Sequence, residues 1–367
     1  MKIEFNNIED PLLNKKKLKK KIFNVVDKKR FILGKEVNIL ENKLSNFVNS
    51  KYAITVSSGT DALLISLLSL NLKKNSEVIT PSFSYISSAE VIVRAGLKPV
   101  FCDVDLSTAL IDTKKVEKLI NKNTSCIIVV SLFGQIPDVQ NLIKIKKKYK
   151  IPIIEDGAQS FGSKYKNQKS CSIFNIGCTS FFPTKSLGCF GDGGSIFTNN
   201  KKIYLKAKQI RQHGQKKKYS FDINGLNARL DTIQAAVLLE KIKIFPSTIN
   251  RKKKIFERYI SLLKNEGNIK FLTIKKHYFS CYPSFNILAK KRNKLRNFLE
   301  KKNIPTIIYY PRPITDQKIF KDNKSRFYMK NSLKLSRNIL SLPFHLSLKE
   351  NQIKHIAKTI KNFYKKN

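Results

Sequence analysis

Five short apolar runs constrain this chain more than any other feature: "YAITV" at 52–56, "EVIT" at 77–80, "KPVFCDV" at 98–104, "SCIIVVSLF" at 125–133 and "IPIIEDG" at 151–157. Each run is largely continuous rather than alternating, as suits a strand whose sheet is covered on both faces. Helical spacings lie between the runs, over 57–70, 86–95, 113–121 and 138–149, and another over 36–49 precedes them. Strands alternating with helices imply βαβ units. The expected class is therefore α/β with a mostly parallel sheet.

A long helical pattern opens at residue 228, and the texture changes beyond about 265. A helix is expected over 228–244, "ARLDTIQAAVLLEKIKI", ended by Pro246, with a second lysine-rich helical pattern reaching about 265. Beyond it, "SCYPSFNIL" reads as a strand, "KKRNKLRNFLEKKN" as an exposed helix, "IPTIIYYP" as a strand or loop, and 348–364 as a terminal helix. This places a boundary near 246. Residues 1–245 would form a large domain with an N-terminal helical segment, and 246–367 a smaller α+β domain. A chain of 367 residues has ample core for both.

Composition narrows the function classes. Lys and Arg number 71 against 26 acids, a net charge of +45. Such a charge suits phosphate-bearing partners. The lysines are nevertheless dispersed as short runs, such as Lys15 to Lys17 and Lys216 to Lys218. They form no basic groove with interleaved aromatics, so no specific nucleic acid is expected. The six cysteines show no C-x-x-C spacing, which argues against a metal site and for reduced thiols in the cytoplasm. No apolar run reaches the ~18 residues of a membrane span, and "MKIEFNNIEDPLL" has no apolar signal core.

Three places could carry chemistry. "SSGTDAL" puts Gly59, Thr60 and Asp61 at the start of a helix after a strand. Free N–H groups there can hold a phosphate, and glycine permits close approach. Ordinary helix capping would use the same residues. "IIEDGAQSFG" puts Asp156 just beyond an apolar strand, where open α/β sheets bind ligands. A buried carboxylate there needs a partner, although a helix cap or surface turn would also place an acid at that point. Gln159 follows three residues on, able to orient a ligand polar group. In "SFFPTKSLGCFGDGG", Lys185 stands among apolar and small residues. A buried lysine with a lowered pKa is a nucleophile. Phosphate cradle, buried acid and buried lysine jointly suggest pyridoxal 5'-phosphate, which has a phosphate, a ring nitrogen and an aldehyde for them.

The chain resembles, over nearly its whole length, the DegT/DnrJ/EryC1/StrS family of pyridoxal-phosphate sugar aminotransferases. The resemblance lies in "SSGTDAL", "EVITPSFSYISSAE", "KPVFCDVD", "SLFGQIPD", "IIEDGAQSFGSKYK", "CTSFFPTKSLGCFGDGG" and "LNARLDTIQAA". It implies the fold type I of pyridoxal-phosphate enzymes, with a mixed, mostly parallel sheet in the large domain. It further implies that Lys185 carries the cofactor, that Asp156 pairs with its ring nitrogen, and that Tyr85 stacks on the ring. Gln159 would lie near the ring hydroxyl. Thr60, Asp61 (through its backbone) and Ser180 would hold the phosphate. Asn227 would reach the phosphate of a neighbouring subunit, making a homodimer with shared sites. Arg229 would meet the acidic part of a sugar nucleotide, and His213 would lie near the substrate. A related branch dehydrates sugars and replaces the lysine with histidine, so Lys185 points to amino transfer.

"QKSCSIFNIGCTSFFPTKSLGC", "RQHGQKKKY" and "NARLDTIQAAVLLEK" resemble in particular the members acting on UDP-2-acetamido-2-deoxy-3-keto-glucuronic acid, with L-glutamate as donor, in polysaccharide or lipopolysaccharide synthesis. That subgroup tends to show His-Tyr-Pro where this chain has Tyr309, Tyr310 and Pro311, so these tyrosines are candidate sugar contacts. Two alternatives stand beside this expectation. One is amino transfer to another 3- or 4-keto sugar nucleotide. The other is a basic nucleic-acid-binding or regulatory protein that holds the cofactor without turnover.

Overall fold

The computed structural model describes residues 2–320 and 328–366. The chain begins with α1 (Lys15–Lys28) and α2 (Lys35–Val48). It then alternates as expected: β1 (Tyr52–Val56), α3 (Gly59–Ser69), β2 (Glu77–Pro81), α4 (Ser87–Arg94), β3 (Lys98–Cys102), α5 (Thr113–Leu119), β4 (Thr124–Val130), α6 (Val139–Tyr149) and β5 (Ile153–Asp156). A short hairpin follows, β6 (Lys164–Tyr165) with β7 (Gln168–Lys169). Next come β8 (Ile176–Ser180), β9 (Gly194–Thr198) and α7 (Lys201–Ile210).

Seven strands form one sheet in the order β1-β9-β8-β5-β4-β2-β3. The neighbours from β8 to β3 pair parallel. Only β9 is reversed, running antiparallel to both β1 and β8. The central strands are buried on both faces: Ile127, Ile128, Val129, Ile153, Ile154 and Glu155 have no exposed surface. That is why their sequences read as continuous rather than alternating. Parallel pairing brings the C-terminal ends of β4, β5 and β8 to one edge. There Asp156 lies opposite Val130 on one side and Cys178 on the other.

Past the sheet, β10 (Gln215–Lys217) and β11 (Ser220–Phe221) make a hairpin, and α8 (Thr232–Leu263) follows. Here the sequence expectation needs correcting. Pro246 does not end the helix but sits inside it, in 32 continuous residues. An interior proline removes one backbone hydrogen bond and costs roughly 3 kcal/mol. Burial on both sides outweighs that loss, because Phe245, Thr248 and Ile249 are packed into the core. Thr248 Oγ also donates to Ile244 O at 3.2 Å. The remaining elements are β12 (Ile269–Phe271), β13 (Tyr278–Phe279), β14 (Phe285–Ala289), α9 (Arg292–Glu300), α10 (Lys330–Asn338), β15 (Ile339–Leu342) and α11 (Glu350–Lys366). β12, β14 and β15 form a second, antiparallel sheet. "IPTIIYYP" lies outside the named strands, bridged to β15 only at Ile307 and Ser341. No helix of the described residues is long and apolar enough to cross a membrane.

A buried ion pair joins α2, β1 and the end of α7. Arg211 Nη1 donates to Glu41 Oε1 at 2.7 Å and to Thr55 O at 2.9 Å. The same Glu41 oxygen accepts from Thr55 N–H at 2.9 Å and from its hydroxyl at 3.0 Å. Removing one partner strands the other charge away from water. Arg211→Ala is therefore expected to destabilise the protein by about 3–5 kcal/mol in urea unfolding. An unchanged midpoint and slope would show that the pair contributes nothing.

Candidate active site

The site grows from the C-terminal edge of the parallel sheet. β5 ends in Asp156, which is 6% exposed. Among the described residues its carboxylate accepts one hydrogen bond, from Ala158 N–H at 3.0 Å. Burial pushes its pKa up, while that N–H and the nearby Lys185 ammonium oppose the rise. Lys185 is half-buried on the loop that leaves β8, where its N–H donates to Phe182 O at 2.8 Å. Burial holds the Lys185 pKa below that of an ordinary lysine, and Asp156 alone pulls it back up. The two groups thus form a desolvated acid–base pair.

Beside them lies a small-residue cradle. Ser58 caps α3 and accepts from Asp61 N–H at 3.0 Å. The Asp61 carboxylate in turn accepts from the Ser58 hydroxyl at 2.9 Å and the Ser57 hydroxyl at 2.5 Å. Gly59 opens the helix against the end of β8: a Cβ there would lie 2.7 Å from Ser180 Cβ. Thr60 and Asp61 stand in this same first turn. The opening N–H groups of α3 and the Ser180 hydroxyl suit a phosphate, but the Asp61 N–H expected to hold it is already taken by the Ser58 hydroxyl. Gly59→Ala is expected to weaken cofactor retention about tenfold, since the added methyl must push Ser180 away. Equilibrium dialysis against pyridoxal phosphate measures this, and wild-type retention would count against the cradle.

Gln159 and Tyr310 close the other side. Gln159 Nε2 donates to the Tyr310 hydroxyl at 3.2 Å, and its Oε1 accepts from Phe133 N–H at 2.9 Å. Tyr85 lies 6.3 Å from the Tyr310 ring, centroid to centroid, and is 58% exposed. Tyr309 packs between Tyr310, at 5.8 Å, and Phe5, at 6.3 Å. Gly59, Thr60, Asp61 and Ser180 thus gather at the cradle, Gln159, Tyr85, Tyr309 and Tyr310 form one contiguous group, and Asp156 lies within electrostatic reach of both Lys185 and Tyr310.

The remaining three lie apart. Ala228 O accepts from Ser57 N–H at 3.1 Å, which sets Asn227 and Arg229 on either side of the cradle's approach. Asn227 is exposed, and Arg229 is half-buried with its Nε lacking a partner. His213 is exposed, at φ 58°, its N–H donating to Leu226 O at 2.9 Å.

Two contributors escaped the sequence reading. Phe133 adopts a left-handed φ of 54°, a strained position for a bulky residue, and so aims its N–H at Gln159. The "LFG" turn just after an apolar strand was the only trace of it. Glu155, the fully buried neighbour of Asp156, accepts from the Ser131 hydroxyl at 2.7 Å, the Ser170 hydroxyl at 2.6 Å and Cys171 N–H at 2.8 Å. It fastens the loop after β4 and the turn after β7 to the base of the site. An acid inside an otherwise apolar strand is the signal that marks it.

Comparison with known proteins identifies the family. The DegT/DnrJ/EryC1/StrS aminotransferase family matches residues 13–361. The UDP-2-acetamido-2-deoxy-3-oxo-D-glucuronate aminotransferase of Pseudomonas aeruginosa is 39% identical, covering 98% of this chain and 100% of the relative. A pleiotropic regulatory protein of Geobacillus stearothermophilus is 36% identical, over 95% of each chain. Among solved structures, NtdA of Bacillus subtilis with bound cofactor PMP superposes with a TM-score of 0.91 at 27% identity, covering 99% of this chain and 85% of that one.

Proposed function

The chain belongs to the DegT/DnrJ/EryC1/StrS aminotransferase family and is a pyridoxal-phosphate-dependent sugar transaminase, and from that membership we propose that it moves the amino group of L-glutamate to UDP-2-acetamido-2-deoxy-3-keto-glucuronic acid. The product is the corresponding 3-amino sugar nucleotide, a precursor for polysaccharide or lipopolysaccharide. One observation carries the reading: the Asp156–Lys185 pair sits at the sheet edge beside the Gly59–Ser180 cradle. The P. aeruginosa relative supports the choice of sugar.

The residues present fit the cofactor. Its phosphate suits the first turn of α3 with Ser180, its ring nitrogen suits the otherwise underpartnered Asp156, and its aldehyde suits Lys185. When bound, it supplies the electron sink that stabilises negative charge at the donor's Cα. Asp156 keeps a proton on the ring nitrogen. Lys185 Nζ, whose pKa burial lowers, would take the proton from the donor Cα. In the second half-reaction it delivers a proton to the sugar carbon that receives nitrogen. Gln159 holds the Tyr310 hydroxyl at the wall, and Tyr85 covers the mouth. Arg229 is placed for the negative charge of the sugar nucleotide, where a guanidinium binds oxyanions in a fork.

The reading includes a homodimer with shared sites. The exposure of Asn227, and of Tyr85, Phe182 at 46% and Phe190 at 49%, supports a second copy covering this mouth. It also places the enzyme in the cytoplasm, since all six cysteines are free and buried. The test is optical. L-Glutamate should bleach the visible band of the lysine-bound cofactor, and the UDP-linked 3-keto sugar acid should restore it. Restoration only by a 4-keto sugar nucleotide would move the substrate assignment. The G. stearothermophilus relative favours a second reading, a regulatory protein without turnover. Bleaching without restoration by any keto sugar nucleotide would favour that reading instead.

A further inference from the structure

We propose that a cavity beneath the Lys185 loop is a binding site for a small inorganic oxyanion of the phosphate class. The cavity holds about 60 Å³. It lies between the N-terminal residues 6–10, the loop 183–188, one face of α8 and residues 344–346. Lys185 is among its lining residues, whereas Asp156, Gln159, Ser180, Tyr85 and Tyr310 are not. A single water needs roughly 10–15 Å³ of such space, so a polyatomic ion has room.

The wall carries more positive charge than it neutralises. Lys241 and Lys252, each 9% exposed, reach it from α8. Lys241 Nζ donates to Gly188 O at 2.6 Å and stands 5.0 Å above the Phe190 ring. Lys252 has neither a hydrogen bond nor an ion pair among the described residues. Two acids face the same space. Glu9 is already paired with Lys15 at 2.5 Å. Asp10 accepts from the Thr248 hydroxyl at 2.9 Å and from Leu12 N–H at 2.9 Å. Lys241 and Lys252 therefore share one counter-charge, the already hydrogen-bonded Asp10 carboxylate. Two buried ammonium groups with a single counter-charge between them are costly, and burial indeed holds both lysines below their ordinary pKa. An oxyanion accepting from Lys252 and Lys241 balances the charge and uses their idle N–H donors. Because Lys241 also holds Gly188, occupancy would stiffen the loop that carries Lys185.

The test uses the holoenzyme, whose cofactor already fills the phosphate cradle. Thermal unfolding is followed while inorganic phosphate replaces chloride at constant ionic strength. The expected result is a saturable rise of about 2–4 °C, lost in Lys252→Met and retained in Lys252→Arg. Arg229→Ala should keep the rise, which separates this site from the sugar-nucleotide pocket. A rise that survives Lys252→Met, or that Arg229→Ala abolishes, overturns the proposal. So does a wild type in which phosphate and chloride act alike. Should Lys252→Met fail to fold, selenate-soaked crystals decide by the presence or absence of an anomalous peak between Lys241 and Lys252. None of these readouts depends on turnover, so they stand or fall apart from the assigned sugar reaction.

Discussion

Lys185→Ala is expected to lower kcat by at least about 10⁴-fold, because one side chain both carries the cofactor and moves the proton. The visible band of the substrate-free protein should vanish with it. The fold should survive, since Lys185 is half-buried on a loop and donates no side-chain hydrogen bond among the described residues. Thermal unfolding of the apo forms checks that. The observation against the assignment would be a folded variant retaining more than a few per cent of wild-type turnover. Such activity would require another base in reach.

Asp156→Asn is expected to lower kcat by about 10²–10³-fold and to move the pH profile. The amide oxygen can still accept from Ala158 N–H, so the loop stays in place. What disappears is the negative charge that would hold a proton on the ring nitrogen. That same charge raises the Lys185 pKa against the pull of burial. Without it the lysine pKa falls further, so the free base persists to lower pH. The acidic limb of kcat should therefore shift to lower pH while the maximum drops. A profile that keeps its shape and height would show that the two groups are not coupled.

The parallel strands were legible because covered strands need unbroken apolar runs, as in β4 and β5. β8 and β9 were not read as strands. "IGCTS" and "GSIFT" are short and rich in glycine and serine, and a chain reversal between them carries no local periodicity. α1 was hidden because "KKKLKKKIFNVVDK" buries only Leu18 and Val25 beneath a lysine-covered surface. At the site, Asp156 and Lys185 stood out through rare side chains in apolar surroundings. The N–H of Phe133 had no such mark, since any residue supplies one and only the fold decides where it points. The sequence marks the start of α8 but not its run to Leu263, because a local rule about proline cannot see the packing around Phe245 and Ile249.

The unbroken run of α8 through Pro246 bears on how this protein can be recombined with its relatives. One apolar core draws on Leu40, Phe161 and Phe197 before the proline and on Tyr259, Phe285 and Ile356 after it. A chimaera joined at 245 would splice two parents within a single helix and within that shared core, pairing side chains that never evolved together. Crossovers placed before Thr232 or after Leu263 leave the helix with one parent. Libraries seeking new sugar preferences should exchange the wall around Tyr309 and Tyr310 at those outer points.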